Sequence, residues 1–107
     1  MEESFIRNRI SELRIKKGVS EYKMSLNLGF SKSYIQIISS GKALPSLTEF
    51  LYICEYLGVT PSDFCDSNVT EPQLLHQLSQ ITPFLSFEDM QLLISIALRL
   101  ANRSSKD

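Results

Sequence analysis

Two helix starts and two helix stops fall within residues 20–41 of the chain. Ser20 is suited to cap a short helix in which Met24 and Leu28 face inward, and Gly29 can turn left-handed at its end. Ser31 can open a second helix with Tyr34, Ile35 and Ile38 inward, closed in the same way by Gly41. The spacing predicts two short helices joined by a tight turn at Gly29, the second beginning on the polar residues Ser31, Lys32 and Ser33. The remainder of the chain must then hold this pair in place.

Helical punctuation continues on both sides. Ser4 is the expected cap of a first helix whose apolar positions Phe5, Ile6, Ile10 and Leu13 recur at helical spacing, with Gly18 at its end. Ser46-Leu47-Thr48-Glu49 has the form of a capping box, in which hydroxyl and carboxylate each serve the other residue's backbone N–H. Leu47, Phe50, Ile53, Cys54 and Leu57 follow as one apolar stripe that stops at Gly58. Thr60 and Pro61 begin a short fifth helix, with proline at the first helical position, where its missing N–H is not needed. Five short helices around one core are expected over residues 4–66.

A second region, 69–103, starts at Thr70-Glu71-Pro72-Gln73 and carries Leu74, Leu75, Leu78 and Ile81 before Thr82-Pro83 interrupts it. Ser86-Phe87-Glu88-Asp89 then opens a helix expected to run to about Asn102. Met90, Leu92, Leu93, Ile94, Ile96, Ala97, Leu98, Leu100 and Ala101 cover far more of it than the single stripe of a surface helix. Such a helix has to bury two faces. In 107 residues the second covering surface is expected to be another copy of the chain, through Met90, Leu93, Ile94, Ala97, Leu98 and Leu100.

Composition narrows the function class. With 43% apolar residues and no strand-like alternation, the chain reads as globular and all-α. Its net charge of −1 divides as eight Lys/Arg against seven Asp/Glu in residues 1–65, and three against five in residues 66–107. Binding to nucleic acid therefore requires the cations to be gathered on one face. Cys54 and Cys65 form neither a disulfide framework nor a zinc site and are expected to be reduced, largely buried thiols. His76, the single histidine, lies among leucines and glutamines and is expected at a surface or interface. No metal or other cofactor is expected. No nucleophile–base pair, phosphate loop or spaced carboxylate pair is visible, which speaks against an enzyme. No apolar run approaches the roughly 20 residues of a membrane span, and Met1-Glu2-Glu3 does not open a signal segment. The cytoplasm is the expected location.

The order and spacing of these features resemble the lambda-repressor-like helix-turn-helix family, also called the Xre or Cro/repressor family. The resemblance is carried by Ile10-Ser11-Glu12-Leu13-Arg14, Lys17-Gly18-Val19-Ser20 and Leu28-Gly29-Phe30-Ser31. Tyr34-Ile35, Ile38, Gly41-Lys42, Pro45-Ser46-Leu47 and Leu57-Gly58-Val59-Thr60-Pro61 continue it in register, over about residues 5–64. It implies a five-helix DNA-binding domain with a C-terminal two-helix dimerisation extension. Helix 3, about residues 31–40, would enter the major groove of double-stranded DNA. By position the base readers would be Lys32, Ser33, Gln36 and Ile37, with Lys32 suited to guanine, Gln36 to adenine and Ile37 to a thymine methyl. Phosphate contacts would fall to Ser31, Glu21, Tyr22, Lys23, Ser40 and Lys42. The chain departs from the family's usual pattern at Glu21, a position that is usually Gln, and at Ile37, which is often polar. It also departs at Ser39, where many members carry a Glu paired with the arginine corresponding to Arg14. Arg14 is left to Glu12, Glu21 or solvent.

The function so implied is a dimeric, sequence-specific regulator, a repressor that sits on an inverted repeat and occludes RNA polymerase. The alternative is a protein-interaction module on the same scaffold, such as an antitoxin or anti-repressor, binding a protein partner through its C-terminal helices or the Ile37 face. The acidic balance, Glu21 and Ile37 fit that alternative.

Overall fold

The computed structural model describes residues 2–105, and every regular element among them is helical. Helix α1 (Glu3–Lys17) starts one residue before the expected cap. Glu2 takes the cap position without a side-chain bond, and Ser4 lies inside the first turn with its hydroxyl donating to the Glu2 carboxylate. The acidic Glu3 in that turn favours the positive end of the helix dipole. Gly18, at φ +80°, closes the helix by donating to the Arg14 and Ile15 carbonyls.

Helix α2 (Glu21–Asn27) is capped by Ser20, whose hydroxyl accepts from the Lys23 N–H. Helix α3 (Tyr34–Ser39) is shorter than expected. Residues 31–33 form a turn in which the Ser31 carbonyl accepts from the Tyr34 N–H, so Ser31 is not the cap. Helix α4 (Leu47–Leu57) has its capping box closed in both directions between Ser46 and Glu49. Helix α5 (Pro61–Cys65) follows from Thr60, whose hydroxyl accepts from the Asp63 N–H.

These five helices enclose a core of Ile10 and Leu13 from α1, Met24 from α2, Ile35 and Ile38 from α3, and Ile53, Cys54 and Leu57 from α4, closed by Val59 and Phe64. Phe50 meets Phe64 edge to face at 5.0 Å. Two expectations fail here. Leu47 is 75% exposed, because the first turn of α4 projects past the core that Ile53, Cys54 and Leu57 reach. Cys65 is also exposed, since Phe64 takes the inward position of the single-turn α5.

The chain divides into two compact units, Met1–His76 and Gln77–Asp107, and helix α6 (Pro72–Ile81) runs across the boundary. The first unit thus includes residues 67–76. Side chains of α1 account for this. Arg9 is buried and donates to the carbonyls of Phe64 at 2.9 Å, Asp63 at 2.9 Å, Asp66 at 3.2 Å and Val69 at 2.7 Å. Lys16 donates to the Thr70 carbonyl at 2.7 Å and pairs with Glu71 at 3.1 Å. From the start of α6, the Gln73 amide donates to the carbonyls of Leu13 and Leu57.

The second unit takes the rest of α6, a single 3-10 turn at Thr82–Phe84, and helix α7 (Phe87–Ser105). Ser86 caps α7 by accepting from the Asp89 N–H. Met90 and Leu93 are half-buried, whereas Phe84, Phe87, Leu92, Ile94, Ile96, Leu98 and Leu100 are exposed. Among the described residues no helix is long and apolar enough to cross a membrane.

Candidate nucleic-acid interface

The turn between α2 and α3 depends on Gly29. At φ +80° it donates to the Leu26 carbonyl, in a conformation that side chains with a Cβ resist, and Phe30 N–H then returns to the Ser25 carbonyl. The Phe30 ring packs on Tyr34 with centroids 4.5 Å apart. Tyr34 in turn donates its hydroxyl to Glu49 at 2.9 Å, tying the start of α3 to the capping box of α4. The Ser46 N–H and then the Tyr34 hydroxyl hold the Glu49 carboxyl below its ordinary pKa. Burial, reinforced by Glu49, pushes the Tyr34 phenol up.

Helix α3 has no cap of its own, for Ser33 makes no side-chain cap bond. Its Ile35 N–H donates instead to Ser25 Oγ at 3.0 Å, and the buried Ser25 donates its own proton to the Glu21 carbonyl at 2.8 Å. At the other end, Ser39 donates its hydroxyl to the Glu21 carboxylate, and Arg7 donates to the Gly41 carbonyl at 3.2 Å. Ile35 and Ile38 anchor the helix in the core, which turns Gln36, Ser39 and Ser40 outward. Exposed Lys23, Lys32 and Lys42 lie on the chain segments that flank it. A short helix with a polar outer face, braced from behind and flanked by cations, has the form of an element that enters a DNA groove.

A family model, the Cro/C1-type HTH DNA-binding domain, matches residues 9–68. The chain belongs to that family. No curated protein and no solved structure matches it.

Within this Cro/C1-type domain the residues singled out from sequence are placed unevenly. Lys32 and Gln36 are exposed, while Ser33 and Ile37 are half-buried. Lys32 and Ser33 precede α3 rather than forming its first turn. Ser31, Tyr22, Lys23, Ser40 and Lys42 are exposed, and Ser40 Oγ donates to the Ile37 carbonyl at 2.9 Å. Arg14 pairs with none of the groups offered from sequence. Its guanidinium donates to the Val19 carbonyl at 2.8 Å, bracing the connection into α2. Sequence reasoning missed Ser25, Arg9 and Arg7. For Ser25 a signal exists, a small polar residue beside Met24 at an inward helical position. For Arg9 and Arg7 the partners are distant backbone carbonyls, which leave no mark in the sequence.

Proposed function

We propose that the chain is a homodimeric transcriptional repressor that reads an inverted repeat in double-stranded DNA with α3 in the major groove. The observation that carries this reading is the outer face of α3, polar and uncommitted to the core, on a Cro/C1-type domain. Lys32 serves guanine O6 and N7, Gln36 serves adenine, Ser33 either base, and the side chain of Ile37 packs on a thymine methyl. Ser31, Tyr22, Lys23, Ser40 and Lys42 take phosphates and fix the docking register. Glu21 occupies a phosphate-facing position by the same correspondence, but its carboxylate is engaged by Ser39.

Pairing is assigned to α7. At about 100° per residue, Met90, Leu93, Ala97 and Leu100 adjoin one another, and Ile94 and Leu98 flank them on one side. Ile94, Leu98 and Leu100 are the exposed large side chains of this group, and fully burying such a side chain is worth up to roughly 1.5–3 kcal/mol. A two-fold pair then matches a two-fold operator. Repression follows from occupancy of promoter DNA in the cytoplasm and needs no cofactor.

The test is fluorescence anisotropy with the duplex upstream of the protein's own gene, at rising salt and with unrelated competitor DNA. Binding that survives competitor and footprints as two half-sites is expected. Weak binding abolished equally by salt and competitor would refute the reading. The breadth of the α7 apolar surface, where Leu92 and Ile96 are exposed beyond the stripe, also fits a second reading. In that reading a protein partner occupies α7, as in an antitoxin or anti-repressor, and a co-purified protein protecting residues 86–101 would favour it.

A further inference from the structure

We propose that Glu21 and Ser25 are positioning residues for DNA recognition, holding both ends of α3 from α2 so that Gln36 and Ile37 meet the bases in one register. The inference rests on the reading of α3 as the groove-entering helix. At six residues α3 is far too short to set its own geometry. Ile35 and Ile38 secure it by burial, but apolar contact is non-directional and resists separation better than small rotations. Beside the Tyr34–Glu49 and Arg7–Gly41 bonds, α2 supplies direction through two hydrogen bonds at opposite ends. At the start, Ile35 N–H donates to Ser25 Oγ, whose single proton goes to the Glu21 carbonyl, leaving a lone pair aimed at Ile35. At the end, Ser39 Oγ has the Glu21 carboxylate and the Gln36 carbonyl within reach, and its proton goes to the charged acceptor. One residue, Glu21, thus anchors the start of α3 through its backbone and the end through its side chain. Two fixed points set both the rotation and the tilt of the helix, on which bidentate base contacts depend.

The test uses the full chain. The wild-type protein selects a duplex from a random-sequence pool, and affinity for that duplex is compared with affinity for a random duplex of equal length. Glu21→Gln removes the charge and keeps an acceptor for Ser39, whereas Glu21→Ala removes both. Any general gain in DNA affinity from losing the charge is therefore shared by the two variants. Glu21→Gln is expected to keep the specific-to-random ratio within about twofold of wild type, while Glu21→Ala and Ser39→Ala lower it about tenfold, a loss comparable to that of one good base contact. Ser25→Ala is expected to act in the same direction. If it fails to fold in a thermal melt, the more exposed Glu21 and Ser39 variants carry the test. Equal ratios for wild type, Glu21→Ala and Ser39→Ala would overturn the positioning role and leave the groove reading intact. Equal losses in Glu21→Gln and Glu21→Ala would overturn it too, by showing that charge alone matters. Wild-type protein that selects no sequence would overturn the reading of α3 and this inference with it.

Discussion

Replacing Arg9 by Met would keep most of the buried stem and delete the guanidinium fork. Four backbone carbonyls and the Glu12 carboxylate then lose their donor. The losses are unequal. The Asp63 carbonyl still accepts from the Asp66 N–H at 3.3 Å, and the Asp66 carbonyl from the Val69 N–H at 3.1 Å. The carbonyls of Phe64 and Val69 are the ones left wanting. Orphaning a buried acceptor costs about 1–3 kcal/mol, so the two together cost on the order of 4 kcal/mol. Relief of the desolvation of a buried cation offsets part of this, leaving a net loss of about 2–4 kcal/mol. Against a total stability of roughly 5–15 kcal/mol for a small domain, that is a large fraction. It corresponds to a fall in Tm on the order of 10–20 °C. Urea unfolding of Arg9→Met followed by far-UV circular dichroism, with amide exchange read at Val69 and Leu75, measures it. Glu12→Gln serves as the control. Glu12 keeps 45% of its side chain in solvent, so losing its ion pairs with Arg9 and Lys16 should cost about 1 kcal/mol or less. An Arg9→Met variant within 1 kcal/mol of wild type, with unchanged exchange at Val69, would refute the reasoning.

Three further outcomes are expected. Because folding depresses the Glu49 carboxyl, its ionised form contributes stability that is present above the unfolded value of about 4.3 and lost as pH falls through the folded value. The gap in urea midpoint between wild type and Glu49→Gln should therefore be widest near neutral pH and shrink towards pH 3, and a gap that ignores pH would contradict the assignment. Burial pushes the Cys54 thiol up to about 12, while Cys65 is exposed, so native protein at pH 8 should show one fast thiol towards an aromatic disulfide reagent. Cys65→Ser should abolish that fast phase, and two fast thiols would be inconsistent with the fold. Leu98→Glu should weaken self-association at least tenfold in sedimentation equilibrium with helicity unchanged, and an unaltered dimer would move the interface off this flank of α7.

Helix ends are legible in this chain wherever one nearby side chain serves them. Ser20, Ser46 with Glu49, Thr60 with Pro61, and Ser86 all act at the boundaries where their spacing puts them. Ser4 and Ser31 look the same in sequence and do nothing of the kind. The difference lies in tertiary contacts: α3 receives its cap from Ser25, ten positions upstream on another helix, and a local pattern cannot carry that information. The hold of α1 on the stretch after α5 is hidden for the same reason. Arg9 reaches 54 to 60 positions along the chain to the carbonyls of Asp63, Phe64, Asp66 and Val69.

The candidate site divides along the same line. Which residues of α3 face outward follows from Ile35 and Ile38, because two inward positions on one turn leave Gln36 no other direction. What Glu21 does could not follow, since its charge is visible in sequence but the hydroxyl that engages it belongs to Ser39, eighteen positions away. Taken as a lone charge, Glu21 argues against DNA. Taken with Ser39 and Ser25, it stabilises the pose of the helix proposed to read DNA. A residue can thus oppose the polyanion by its charge and serve recognition by its hydrogen bonds, and only a comparison of Gln with Ala at that position separates the two effects. On the proposed positioning role, sequence preference belongs to the α2–α3 pair jointly, and exchanging the outward residues of α3 alone is expected to transfer only part of it.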